Sequence, residues 1–172
     1  MADDQRFDAG GLELCCTVAP GPEMIDYNGH LNVAFYGALF EDAARSIFAR
    51  IDISRAYRER TGAALFAAEL HIVFHREVAE GEAVDILCRI LDCDGRKLQV
   101  MFYMVRSRDG ALAAAQEILY LHVDLAQRRV SPIPEPQAGR IRALLEAHRR
   151  LPPPADAGRS VALRRRPAVA PR

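Results

Sequence analysis

Apolar positions recur every three to four residues from Val33 to about Ile51. One side of a helical projection collects Tyr36, Leu39, Phe40, Ala43, Ile47 and Phe48, and the other collects Glu41, Asp42 and Arg45. This spacing predicts one long amphipathic helix. The following stretch, 52–62, predicts a helical turn and a loop that ends at Gly62.

After residue 62 the hydrophobic period changes to two. The segments FAAELHIVFHREV, AVDILCRILDC, LQVMFYMVR and ALAAAQEILYLHVD alternate apolar and polar positions, which is typical of half-buried strands. Asp94-Gly95 and Asp109-Gly110 separate successive strands and favour tight hairpins, because both residue types tolerate positive φ. A shorter strand, GLELCCTVA, precedes the helix.

The order of strand, long helix and four antiparallel strands predicts an α+β domain in which a curled antiparallel sheet wraps around one long central helix. The predicted boundaries are a flexible N-terminus at 1–11, the domain at 12–136, a short C-terminal helix at 137–150, and a disordered basic tail at 151–172. The tail prediction rests on a segment that is rich in Pro and Ala and lacks an apolar face.

Charge and cysteine content narrow the possible partners and compartment. The 172 residues carry 23 Lys plus Arg and 23 Asp plus Glu, and this balance does not favour binding to nucleic acid or to an anionic membrane. The four cysteines lack C-x-x-C spacing, and the N-terminus lacks the pattern of a signal peptide. No apolar run approaches the roughly 20 residues that span a bilayer. We therefore expect a cytoplasmic protein with reduced thiols and no membrane span.

The candidate chemistry lies in IDYNGHLNVAFY, directly before the long helix. Asn32 is the predicted N-cap, and Asn28-Gly29 provides a tight turn that does not require Asp26. Asp26 is then left to face the helix N-terminus, whose N–H groups carry partial positive charge and could polarise an acyl carbonyl. On residue chemistry alone, a capping role for Asp26 is the stronger interpretation.

The segment EMIDYNGHLNVAFY resembles the signature of hotdog-fold acyl-CoA thioesterases of the 4-hydroxybenzoyl-CoA thioesterase type. The matching positions are Asp26, Gly29, His30, Asn32 and Tyr36. The downstream stretches ELHIVFHREVAEGEAVDI, DGRKL and AAAQEILYLHVDLAQRRVSPIP are similar to the betainyl-CoA thioesterases of carnitine degradation. The resemblance covers roughly residues 13–135 and implies a hotdog fold that hydrolyses a small acyl-CoA.

The resemblance also implies roles for individual residues. Asp26 would act either as a nucleophile that forms a mixed anhydride or as a base that activates water, and the backbone N–H near Val33 would bind the oxyanion. Gly29, His30 and Asn32 would orient the turn or the water, although a purely structural role stays open for His30 and Asn32. The candidate substrate contacts are Tyr27, Phe35, Tyr36, Glu69, His71 and Phe74. A trimethylammonium cage could draw on Tyr27, Phe35, Tyr36, Phe74, Phe102 or Tyr103.

We expect no metal and no organic cofactor. His71 and His75 have the H-x-x-x-H spacing, but four residues of strand span about 13 Å, which is too far for one ion. The phosphates of coenzyme A could meet basic residues at strand ends, namely Arg76, Arg96, Lys97 and Arg106. The expected partners are a coenzyme A thioester and further copies of the chain in a homodimer or homotetramer.

Two other functions stay open on sequence grounds. A hotdog hydratase or dehydratase usually needs a His later on the helix, and Val33 to Ile51 contains none. The second alternative is a non-catalytic acyl-CoA binding module.

Overall fold

The computed structural model describes residues 7–163. The strands are β1 (Glu13–Val18), β2 (Ala63–Phe74), β3 (Val84–Cys93), β4 (Lys97–Arg106), β5 (Leu112–Asp124) and β6 (Arg129–Val130). The helices are α1 (Val33–Arg50), α2 (Arg55–Thr61) and α3 (Glu135–His148), and a short 3-10 helix spans Pro22–Met24.

One antiparallel sheet and one long helix form the two layers. The strand order is β1-β3-β4-β5-β2, with β6 paired to β5, so β1 and β2 are the edge strands. Helix α1 buries Phe40, Ala43 and Ile47 against the inner face of the sheet, where Phe102 lies 6.2 Å from Phe40 between ring centroids. The predicted α+β architecture is confirmed.

Local signals placed the helix start and the hairpins correctly. The Asn32 side chain accepts a hydrogen bond from Ala34 N–H at 3.0 Å, which fixes the start of α1. Gly62 ends α2 in the left-handed conformation, and Gly95 and Gly110 have φ of 85° and 70° between their strands. No helix within residues 7–163 is long and apolar enough to cross a bilayer.

Helix α3 begins two residues earlier than predicted and packs against β3. Because β1 pairs with β3 only as far as Cys88, Ile90 N–H has no strand partner on that side, and His148 Nδ1 accepts its hydrogen bond at 2.9 Å. Burial lowers the pKa of His148, so its imidazole is neutral.

The predicted tail begins with residues that contact the sheet in the structure. Residues 149–160, the C-terminal strap, lie on the outer face of the sheet, which is the face away from α1. Arg89 on this face donates hydrogen bonds to Pro152 O at 2.7 Å and to His148 O at 3.0 Å, and Asp156 is only 6% exposed. A buried guanidinium holds the backbone carbonyls, and composition cannot show such a contact. Residues 164–172 of the predicted tail lie outside the described range.

Part of the predicted flexible N-terminus also makes contacts on the outer face. Phe7 N–H donates to Gly110 O at 2.7 Å, and the Phe7 ring lies 4.9 Å from that of Tyr103 on the outer face. Residues 1–6 lie outside the described range.

Candidate active site

Asp26 shapes the turn that precedes α1. Its Oδ1 accepts a hydrogen bond from Asn28 N–H at 2.8 Å, and its carbonyl accepts one from Gly29 N–H at 3.0 Å, with Gly29 at φ 82°. The interpretation that Asn28-Gly29 turns without Asp26 is therefore wrong. The other carboxylate oxygen, Oδ2, meets only Asn28 Nδ2 at 3.4 Å, so it keeps acceptor capacity for a ligand.

Backbone hydrogen bonds attach this turn to the rest of the domain. Leu31 N–H donates to Val78 O at 2.8 Å, and Asn32 N–H donates to Met24 O at 2.9 Å. His30 forms an isolated antiparallel bridge with Ala79. The carboxylate of Asp26 is thereby held next to the first turn of α1.

One N–H group at the start of α1 is free. The Asn32 side chain occupies Ala34 N–H, and Asn32 O accepts from Phe35 N–H at 3.0 Å. Within residues 7–163, Val33 N–H finds no protein acceptor, and the Val33 side chain is 66% exposed. A solvent-accessible N–H at the positive end of a helix is suited to binding a developing oxyanion.

The turn, the helix start and the end of β2 enclose a cavity of about 370 Å³. Its lining comprises Asp26, His30, Leu31, Val33, Tyr36, Phe74, His75, Arg76 and Glu77. Tyr36 and Phe74 pack edge to face, with ring centroids 4.9 Å apart. The structure thus brings together the predicted residues Asp26, His30, Val33, Tyr36 and Phe74.

The charges around Tyr36 are negative. Burial raises the pKa of Tyr36, and the carboxylates of Asp26, Glu77 and Glu82 raise that pKa further. The hydroxyl is therefore protonated at neutral pH. The carboxylates of Asp26 and Glu77 share the cavity lining with one guanidinium, that of Arg76. His30 Nε2 lies 3.6 Å from a Glu77 carboxylate oxygen at the rim.

Several predicted site residues do not line the cavity with Asp26. Tyr27 is 97% exposed, and Phe35 packs against the main core. Gly29 and Asn32 act through turn and cap geometry, which supports the structural role left open for Asn32.

Glu69 and His71 lie on the outer face of the sheet. His71 is paired across the strands with Glu117, while Phe74 contacts α1 from the inner face. Glu69, His71 and Glu117 line a different cavity, of about 460 Å³, beside the C-terminal strap. Within one protomer, Glu69 and His71 therefore do not meet Asp26.

Fewer aromatic rings line the cavity than the predicted cage contains, because alternate strand residues point to opposite faces of the sheet. Phe102 is buried against Phe40 in the core, and Tyr103 contacts Phe7 on the outer face. Of the six rings considered, Tyr36 and Phe74 line the cavity. Among the phosphate candidates, Arg106 is committed to Asp109 at 2.6 Å, whereas Arg76 lines the cavity.

Sequence reasoning missed Leu31, His75 and Glu77 as cavity residues. The available signal was position: His75 and Glu77 directly follow β2, whose last residue, Phe74, touches the first turn of α1. Among the described residues, no group of three His, Cys, Asp or Glu side chains converges as a metal site would require.

Comparison with known families gives residues 20–141 a match to the thioesterase-like superfamily. The chain belongs to this superfamily. It is 37% identical over 142 residues to a betainyl-CoA thioesterase from Pseudomonas aeruginosa, covering 83% of this chain and 89% of that protein. It is also 31% identical over 141 residues to an L-carnitine dehydrogenase/betainyl-CoA thioesterase from a Rhizobium species, covering 82% of this chain and 28% of that longer protein.

Solved structures share the fold. A Staphylococcus aureus protein solved in complex with CoA superposes with a TM-score of 0.82 at 24% sequence identity, covering 89% of this chain and 97% of that one. The hotdog fold and the thioester hydrolase class predicted from the motif are confirmed.

Proposed function

We propose that this acyl-CoA thioesterase hydrolyses betainyl-CoA, using the carboxylate of Asp26 and the backbone N–H of Val33. The observation that carries the proposal is that Asp26 and Val33 line one cavity. Asp26 Oδ2 has only a long contact, 3.4 Å to Asn28 Nδ2, and Val33 N–H has no acceptor within residues 7–163. The similarity to a betainyl-CoA thioesterase supports the choice of substrate.

The chemistry needs only these two groups and water. Val33 N–H stabilises the negative charge that develops on the thioester oxygen, and the C–S bond breaks to release the coenzyme A thiolate. Asp26 either removes the proton from an attacking water or attacks the carbonyl carbon itself to form an anhydride that water then cleaves. Neither route uses a metal or an organic cofactor, so dialysis against a chelator should leave kcat unchanged.

Repeated turnover in heavy-oxygen water separates the two routes. If Asp26 is the nucleophile, the label enters the Asp26 carboxylate and is found by mass spectrometry of the peptide. If Asp26 is the base, the label enters only the acid product.

The cavity suits a cationic acyl group. Phe74 is 47% exposed and presents its ring at the wall beside the buried Tyr36. The carboxylates of Asp26 and Glu77 line the same cavity and favour positive charge there, against the single guanidinium of Arg76. A trimethylammonium group donates no hydrogen bond, so aromatic faces and carboxylate fields are the means of recognising it, with a cation–π contact worth ~1 to 2 kcal/mol.

A matched pair of substrates tests this preference. Betainyl-CoA and tert-butylacetyl-CoA have the same shape but differ in charge, and we expect kcat/KM to be about tenfold higher for the cation. Phe74→Leu should lower that ratio, while Phe74→Tyr should keep it. Equal kcat/KM for both substrates would contradict the betainyl assignment and leave a thioesterase for another small acyl-CoA.

We further propose that the protein is a homodimer in which β2 strands pair edge to edge. Strand β2 is an edge strand, and Leu70 and Phe74 on its inner face are 53% and 47% exposed. An open edge next to exposed apolar side chains favours pairing with a second copy. Light scattering should give twice the chain mass, and Leu70→Asp should lower that mass; a wild-type monomer at micromolar concentration would refute the dimer, and a fourfold mass would indicate the tetramer.

We also propose a cytoplasmic location, because all four cysteines are free thiols in the fold. Fractionation of expressing cells should recover the protein with the cytoplasmic contents, and recovery with secreted material would contradict this.

A further inference from the structure

His75 borders two cavities at the end of β2. One is the cavity that contains Asp26, and the other, of about 480 Å³, lies under the C-terminal strap on the outer face. The side chain of His75 is one-third exposed. This residue links the site to a segment that lies far away in sequence.

The C-terminal strap supplies a carboxylate to His75. Asp156 Oδ2 lies 2.8 Å from His75 Nε2, and Oδ1 receives the guanidinium of Arg159. A carboxylate accepts hydrogen bonds, so this contact orients the ring with a proton on Nε2. In the neutral imidazole of that tautomer, Nδ1 is the nitrogen that accepts from a ligand.

We infer that Asp156 is a positioning residue for His75, and that His75 Nδ1 then binds an amide N–H of the pantetheine arm of coenzyme A. The inference rests on the proposed function. For the thioester carbon to reach Asp26, the arm must cross the rim of the cavity, where His75 follows Phe74. Pantetheine carries amide N–H donors, and an imidazole that holds its proton on Nε2 offers Nδ1 as an acceptor.

Other contacts hold the strap on either side of Asp156. Arg89 binds Pro152 O at 2.7 Å, and Glu117 accepts from Gly158 N–H at 2.6 Å. Removing the Asp156 side chain should therefore disturb His75 without releasing the strap. Glu117→Ala is the matched control, since it loosens the strap two residues away and leaves the histidine contact in place.

The test measures KM and kcat for betainyl-CoA and the Kd for free coenzyme A. Four variants change the contact, and one is the control: Asp156→Ala, Asp156→Asn, His75→Ala, the Asp156→Ala/His75→Ala double variant, and the control Glu117→Ala. Losing one hydrogen bond should raise KM and the coenzyme A Kd about three- to tenfold in Asp156→Ala and in His75→Ala, with kcat within twofold. The double variant should be no weaker than His75→Ala, because the two residues act through one contact. Asp156→Asn, which retains an acceptor oxygen, should stay near wild type, as should Glu117→Ala.

Nitrogen-15 NMR of the imidazole rings reports which nitrogen of His75 carries the proton. This signal would not change if Asp156 only stabilised the strap. In wild type, His75 should show the proton on Nε2, with Nδ1 shifting as coenzyme A is added; Asp156→Ala should lose both signals. Additive losses in the double variant, an equal effect of Glu117→Ala, or an unchanged His75 spectrum in Asp156→Ala would overturn the inference. A wild-type protein that hydrolyses no acyl-CoA would refute the proposed function instead, and coenzyme A binding and the spectra would still decide the role of Asp156.

Discussion

The turn at residues 25–32 and the C-terminal strap use polar groups in opposite ways. In the turn, the side chains of Asp26 and Asn32 bond to backbone groups two residues away. Asp26 Oδ2 keeps acceptor capacity beside its 3.4 Å contact with Asn28 Nδ2, and Val33 N–H has no acceptor within the described residues. In the strap, Asp156 and Gly158 bond to residues 81 and 41 positions away. The hydrogen bonds of the turn join residues that are close in sequence and leave polar groups available to a ligand. The hydrogen bonds of the strap join residues that are far apart in sequence and attach the strap to the sheet. We therefore expect the turn to govern turnover and the strap to govern stability.

The largest expected effect separates turnover from folding. Asp26→Asn removes the ionised carboxylate, so kcat should fall at least a hundredfold. Its melting temperature should stay near that of wild type, because an Asn side chain can still accept the hydrogen bond from Asn28 N–H. A large loss of melting temperature, or turnover close to that of wild type, would contradict a catalytic role for Asp26.

The second prediction concerns the attachment of the strap. Arg89 is 7% exposed and makes two hydrogen bonds to strap carbonyls, so Arg89→Ala should lower the free energy of unfolding by roughly 2 to 4 kcal/mol. Turnover at saturating substrate should persist. Arg108→Ala, which removes an exposed arginine paired with Glu82, is the control and should change stability by less than about 0.5 kcal/mol in urea unfolding. Equal losses in the two variants would show that the strap contributes little.

A smaller expected effect tests whether Asn32, in the turn, also contributes to the stability of the fold. Asn32→Ala should lower the free energy of unfolding by ~1 kcal/mol, because Ala34 N–H loses its cap. Asn32→Asp keeps an acceptor oxygen and should be close to neutral. If Asn32→Ala instead loses activity with no change in melting, Asn32 belongs to the chemistry and not to the cap.

The smallest effect is a pH dependence at the helix that leads into the strap. Burial holds the pKa of His148 below its usual value in the folded state, so the unfolded chain binds more protons as pH falls through about 6.5. This contribution is complete above the unfolded pKa and is lost as pH falls toward the folded pKa. Between pH 7.5 and 5.5 the loss should stay below about 1.4 kcal/mol per pH unit.

Chemical unfolding at several pH values measures this slope. His148→Gln removes the titrating group and should flatten the curve in that window. A slope that persists in His148→Gln would assign the pH dependence to other groups.

Sequence reasoning succeeded where the decisive contacts are short in sequence. The 3.6-residue period and the Asn32 cap placed α1 at Val33–Arg50, and the Asp-Gly pairs placed the hairpins. Sequence reasoning missed one contact in the turn. The Asp26 side chain accepts a hydrogen bond within the turn and also lines the cavity. One carboxylate can do both because it has two oxygens.

The face of each strand residue was harder to assign. Glu69 and His71 were predicted near the substrate together with Phe74, yet they lie on the outer face. From Glu69 to Phe74 the pairing with β5 is regular, so successive side chains alternate between the two faces, and Phe74 is on the face that meets α1.

By itself, the sequence determined the order of elements, the start of α1 and the presence of Asp26 before a capped helix, because hydrophobic period, caps and turns act over a few residues. Only the tertiary structure decided that the Pro-rich strap contacts the outer face of the sheet and that Asp156 reaches His75 beside the site. Those contacts depend on which strand residues the closed sheet presents to a distant segment. The composition of that segment carries no record of a partner such as Arg89.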